Sequence, residues 1–342
     1  MGRPRLYNSG FCPKCGVYRL IVALSVMAVG LRAQVPTICP GNWRSPRHNK
    51  KLGGLGYNAY RTMYNACVAP IMDYGSAVWG YGAHTKLDVL QNRAIRYYLG
   101  VHEYAANLAI NGDMGWTPCR IRRKVEMLRL WNRLVCMEDG RLTKHVFQWE
   151  KPLASRRQNW AYEIREIFRE LDRIELFINN DCVSLTEAWA TLFHNHCNRW
   201  KRELELKPKL RTYTVCKQVY QVEPYVTMHM ARAYRAALAK LRCGILPLEI
   251  EVGRYHNIPE DQRLCKLCDM QSVENEYHFL FDCPAYEDHR TVFYNEVMES
   301  QPAFQHLNND ARFQLIMEES IVKKTAKFIH QCYTTRQGLI YK

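Results

Sequence analysis

The sequence lacks several features that would narrow its reading quickly. No acidic residue precedes Asp73, no adjacent pair of aspartates occurs, strand-like alternation is scarce, and no apolar run approaches bilayer length. The strongest apolar segment, Leu20 to Val29, reads LIVALSVMAV, whereas a spanning helix needs about 20 such residues. It lies behind Arg3, Arg5, Lys14 and Arg19. A cleaved signal segment and a buried hydrophobic segment are therefore both open readings. The missing aspartate pair removes the usual signature of two-metal phosphoryl transfer. Gly53 to Gly56 (GGLG) is not followed by Lys-Ser or Lys-Thr, so it reads as a hinge and not as a phosphate-binding loop. No nucleophile–base arrangement, internal repeat or low-complexity tract is recognisable.

What is present describes a folded, basic protein. Of 342 residues, 47% are hydrophobic and 12% aromatic, enough for two or three packed units. Lys and Arg number 48 against 33 Asp and Glu, a net charge of +15, which favours an anionic partner such as nucleic acid or an anionic membrane. Ten basic residues precede Asp73, among them Arg44, Arg47, Lys50 and Lys51. That stretch reads either as a solvated tail or as an arm on phosphates. The fourteen cysteines are scattered rather than arranged as a disulfide framework, which fits a reducing compartment, nucleus or cytoplasm.

Helical periodicity dominates after residue 52. Leu87, Leu90, Ala94 and Tyr98 recur at helical steps before Gly100. Thr117 and Pro118 would open a helix with Ile121, Val125, Leu128 and Val135 on one face, closing near Gly140. Ser184 and Glu187 have capping-box spacing ahead of Leu185, Ala188, Trp189, Leu192 and His196. Further helices are expected over 224–243, 285–299 and 310–333, and one strand over Tyr213 to Val222. The expected fold is mainly α. Its expected segments are a basic N-terminal part (1–52), two helical regions (53–140 and 141–245), a small metal-stabilised module (246–300) and a C-terminal helix (301–342).

The strongest chemical signal is RLCKLCDMQSVENEYHFLFDCPAY. Cys265 and Cys268 form a Cys-x-x-Cys pair, and His278 and Cys283 complete a Cys3His set. Three thiolates and one imidazole suit one tetrahedral Zn2+ and leave no position for water, so the site is expected to be structural. Cys12 and Cys15 share the two-residue gap but lack a second pair, and read as ordinary thiols. His194, His196 and Cys197 lie among apolar helical positions and read as core or surface residues. Arg122, Arg129 and Arg133 share one helix side, with Glu126 among them. That row could follow a phosphate backbone or be a solvated face. Trp131, Trp160, Trp189 and Trp200 at helical positions are expected in the core rather than stacked on bases.

Three blocks carry a family resemblance. MYNACVAPIMDYGSAVWG contains Pro70, Tyr74, Gly75, Trp79 and Gly80, and LQNRAIRYYLGV follows it. AINGDMGWTPCRIRRKVEMLRLWNRL is the second block. KLRCGILPLEIEVGRY, leading into the Cys3His cluster and CPAYEDHR, is the third. In this order they resemble the C-terminal region of reverse transcriptases of non-LTR (LINE-type) retrotransposons, over about residues 52 to 295. The resemblance implies a thumb-like helical region, a connector and a zinc-binding module that hold RNA or DNA. The family's catalytic aromatic-Ala-Asp-Asp turn and its endonuclease have no counterpart here. The implied function is thus non-catalytic nucleic-acid binding, with no small-molecule substrate or membrane partner. The alternatives are part of an RNA-directed DNA polymerase whose palm lies on another chain, and a zinc-stabilised protein-interaction scaffold.

Overall fold

The computed structural model describes residues 55–155 and 159–340. Arg44, Arg47, Lys50 and Lys51, Cys12 and Cys15, and the apolar run at Leu20 lie outside the described residues. Within them the fold is mainly α, as expected. The sole β pairing among the described residues is an isolated antiparallel bridge between Leu264 and Val273.

The chain opens with α1 (Tyr57–Met63), a π turn (Tyr64–Val68), α2 (Ala69–Asp73) and α3 (Ser76–Trp79). Then come α4 (Thr85–Leu99), α5 (Asn107–Met114) and α6 (Cys119–Val135). In α4 the expected face is the buried one, and the helix stops at Gly100 with φ of 73°. A side chain there would be strained by that angle and would also meet the Ala236 Cβ at 2.7 Å.

Helix α6 ends sooner than Gly140 suggests, and Lys144 Nζ donates to the carbonyls of Leu134 and Val135 at its end, each at 2.9 Å. These are carbonyls that a helix C-terminus leaves without intrahelical partners. Nor does the Thr117 side chain cap its start.

Four helices follow: α7 (Leu142–Glu150), α8 (Trp160–Glu170), α9 (Ile174–Asn179) and the long α10 (Leu185–Glu205). Ser184 caps α10 as its spacing predicts, its Oγ accepting from the Glu187 backbone N–H at 3.4 Å.

Two expectations fail in the next stretch. Tyr213 to Val222 is not a strand: α11 (Arg211–Cys216) takes its first half. Tyr213 is drawn inward, where its hydroxyl donates to Ala109 O and Asp113 Oδ1, both at 3.0 Å. The single helix expected over 224–243 is two, α12 (Pro224–Thr227) and α13 (Arg232–Arg242). Met228 and Ala231 have ψ of 143° and 136°, extended backbone that ends one helix and begins the next.

The last helices are α14 (Glu249–Tyr255), α15 (Glu287–Met298), α16 (Asn309–Ile316) and α17 (Val322–Ile340). The expected helix over 310–333 is therefore interrupted between α16 and α17.

Two hydrophobic cores result. The smaller surrounds Trp131, with Phe147, Phe168 and Phe177 at ring distances of 5.2 to 5.4 Å, and draws on α6 to α10. The larger runs from Tyr57 to Cys332 and includes Cys265, Cys283 and Phe279 to Phe281. The Cys3His segment is thus part of a broad core and does not stand on its metal ligands alone. Among the described residues, no helix is long and apolar enough to cross a membrane.

Candidate metal centre

Residues 263–274 form a tight hairpin. Cys265 N–H donates to Ser272 O at 2.9 Å and Glu274 N–H to Arg263 O at 3.0 Å, on either side of the Leu264–Val273 bridge. The turn folds the Cys265-x-x-Cys268 segment so that Leu267 N–H points at the Cys265 sulfur, 3.4 Å away. Such a bond favours thiolate character on the ligand.

The second ligand pair comes from a short helical turn that Asn275 initiates, its Oδ1 accepting from His278 N–H at 2.9 Å. The turn is of π type over His278–Asp282, and Cys283 N–H bonds to His278 O at 2.8 Å. In an α-helix, residues five apart point about 140° away from each other. The wider π turn brings them back towards one side, which the pair His278 and Cys283 requires.

All four ligand atoms lie within 4.8 Å of one another. The Cys265 and Cys283 sulfurs are 3.9 Å apart, and Cys268 Sγ is 3.4 Å from His278 Nε2. A disulfide would need about 2.05 Å. A tetrahedron with metal–sulfur bonds of about 2.3 Å and metal–nitrogen bonds of about 2.0 Å has edges of about 3.5 to 3.8 Å. The Cys265–Cys283 and Cys268–His278 separations are near those edges, and the four groups lie close enough to hold one metal ion. Cys265, His278 and Cys283 are buried and Cys268 is half-buried. With four protein ligands the arrangement can hold an ion but leaves it no open position for catalysis. Among the described residues this is the sole cluster of three or more such groups. Without an ion, hydrogen bonding with Cys283, aided by burial, pushes the Cys265 thiol up to about 12.

The groups that hold the ligands in place were not legible as such. Arg290, buried, donates to Leu280 O and Cys283 O, fixing the exit from the π turn. Phe279 packs edge-on against Tyr286 at 5.0 Å. Glu274, with no exposed surface, receives both arms of Arg336 at 2.8 and 2.7 Å and the Glu249 N–H at 2.8 Å. It therefore ties the hairpin to α17 and to the N-terminus of α14, where a carboxylate is favoured. At Gly253 a Cβ would strike the Arg263 Cγ at 2.6 Å. Arg263 crosses there to reach the carbonyls of Ile250 and Ile258. Asn275, just before the helical turn, carries a local capping signal. Nothing local links Glu274 to Arg336, which is 62 positions away.

The arginine row is not uniform. Arg122 is turned inward: its Nε bonds Asp73 Oδ2 at 2.7 Å and its Nη1 bonds Thr117 O at 3.1 Å. It is committed to joining α6 to α2. Arg129 is exposed but paired with Glu126 at 2.6 Å. Arg133 is exposed, with no ion pair among the described residues. Trp131, Trp160 and Trp200 are in the cores, whereas Trp189 is 40% exposed and Trp149, which periodicity did not single out, is 69% exposed. His196 packs edge-on to Tyr220 at 4.8 Å. Burial, then the charges of Arg120 and Arg199, lowers it to about 4. His194 bonds Asn198 on the surface.

Behind the blocks that carry the resemblance lies a second buried polar network. Arg242 grips Asp113 with two bonds, Nε to Oδ2 at 3.0 Å and Nη2 to Oδ1 at 2.8 Å. Tyr213 and Tyr225 donate to the same carboxylate at 3.0 and 2.6 Å. Burial alone would raise Asp113, but Arg242 holds it below the usual carboxylate range. Comparison with known proteins gives no family model, no curated protein and no solved structure that matches the chain.

Proposed function

We propose that the chain is a non-catalytic nucleic-acid-binding protein built around one structural Zn2+, related to the C-terminal region of non-LTR retrotransposon reverse transcriptases. The observation that carries the zinc assignment is the convergence of Cys265, Cys268, His278 and Cys283, whose ligand atoms lie within 4.8 Å of one another. Three thiolates and one imidazole are a donor set that zinc accepts at these distances. The relationship rests on the three resembling blocks and their order along residues 52 to 295.

An RNA or DNA partner follows from the net charge of +15 and from exposed cations and aromatics on one chain. Arg129, Arg133, Trp149 and Trp189 are among the groups on the described surface that suit it. Arg122 drops out because it is turned inward and tied to both Asp73 and Thr117 O, whereas the Arg129–Glu126 pair lies on the surface.

Single-stranded RNA binding should weaken as salt rises, with a log-log slope of about 0.7 per neutralised phosphate. Replacing Arg129 and Arg133 together by Gln should lower that slope by about one to two units and leave helicity and metal content unchanged. Equal slopes for the two proteins would remove this helix from the interface. Salt-independent binding, or none, would overturn the nucleic-acid assignment.

A further inference from the structure

Cys136 and Cys182 are both exposed, and their sulfurs lie 3.3 Å apart. The contact is held by its surroundings. Cys136 is the C-cap of α6. In the last turn of that helix, Asn132 accepts from Val183 N–H at 2.9 Å and donates to Val183 O at 2.8 Å. Trp131, anchored in the smaller core, donates to Asp181 O at 3.0 Å. The residues on both sides of Cys182 are thus bonded to the helical turn that ends at Cys136. Among the described residues no third metal-ligating group joins the two thiols.

We propose that Cys136 and Cys182 are a dithiol modification site that small disulfides of the glutathione type convert to an intrachain disulfide. One protein thiolate attacks a sulfur of the small disulfide, forming a mixed disulfide and releasing one small thiolate. The second protein thiol then loses its proton to solvent and attacks the protein-bound sulfur, expelling the other small thiolate. The two protein sulfurs lose two electrons and two protons, and the small disulfide becomes two thiols.

Proximity, not acidity, drives the second step. The hydrogen bond with Cys136, with partial burial, raises the Cys182 thiol. The first step should therefore quicken as pH rises. The bond would join positions 46 apart, closing the segment that contains α7, α8 and α9. These helices place Phe147, Phe168 and Phe177 around Trp131 in the smaller core, and a staple across their ends limits their opening.

Cys67 supplies an internal comparison, being exposed on the π turn with no second thiol beside it among the described residues. The full-length protein is treated with oxidised glutathione, blocked with N-ethylmaleimide and peptide-mapped, beside Cys136→Ser treated alike. The expected result is a Cys136–Cys182 cross-link that a reductant removes, while Cys67 stops at the glutathione adduct. In Cys136→Ser, Cys182 should also stop at the adduct. Cleavage by protease between 137 and 181 should be slower in the oxidised wild type than in the treated variant. If both thiols are blocked by maleimide, or both keep glutathione, under conditions that modify Cys67, the proposal is overturned. Unchanged cleavage despite the cross-link would overturn the staple.

Discussion

At the scale of single residues, Asp113 and Arg242 join the second and third resembling blocks in a site closed to water. Removing one partner of such a pair strands the other charge. Asp113→Asn should cost about 3 kcal/mol in urea unfolding at neutral pH, the lower end of the usual loss, because Glu223 still faces Arg242 at 3.0 Å. The folded pKa of Asp113 lies below its unfolded value. Its contribution is therefore complete above the unfolded value and is lost as pH falls through the folded one. The difference between the two proteins should shrink at pH values below about 4. His196 has the same sign over another window. It is lowered to about 4 against an unfolded value of about 6.5, so the unfolded chain binds the extra proton between those limits. Stability should fall as pH drops across that range, and His196→Gln should flatten that part of the pH–stability curve. A curve unchanged by the substitution would mean that this imidazole is as well solvated folded as unfolded.

At the scale of elements, local chemistry was legible where it is self-contained. The Ser184 cap, the glycine stop at Gly100 and the apolar face of α4 each depend on residues within a turn or two. Ser184→Ala should accordingly cost about 1 kcal/mol, read from thermal or urea unfolding. The failures have a common cause. Periodicity over 224–243 continues across the extended residues Met228 and Ala231, so two short helices look like one. Tyr213 alternates as a strand residue would, but its environment is set by Ala109 and Asp113, about a hundred positions away. The candidate site shows the same division. Its four ligands stand out by spacing, whereas Glu274, Arg290 and Arg336 become visible only when the chain is folded. The π turn was also hidden, although the interval from His278 to Cys283 is the reason such a turn is useful there.

At the scale of the whole molecule, the metal cluster is tied to the larger core from two directions. Phe279 and Leu280 pack within it without exposed surface, and Glu274 fastens the hairpin to α17 through Arg336. On the proposed zinc assignment, removing the ion should therefore loosen more than the ligand hairpin. Backbone amides of α17 near Arg336 should exchange faster after chelation, while α8 and α9 in the smaller core keep their protection. The measurement that tests the central claim most directly is the zinc content of the purified full-length protein beside that of Cys268→Ser. One zinc per chain in the wild type, lost in the variant, is the expected result. A wild-type protein without zinc, or a Cys268→Ser protein that keeps the full wild-type content, would contradict the assignment of Cys265, Cys268, His278 and Cys283 as its structural site.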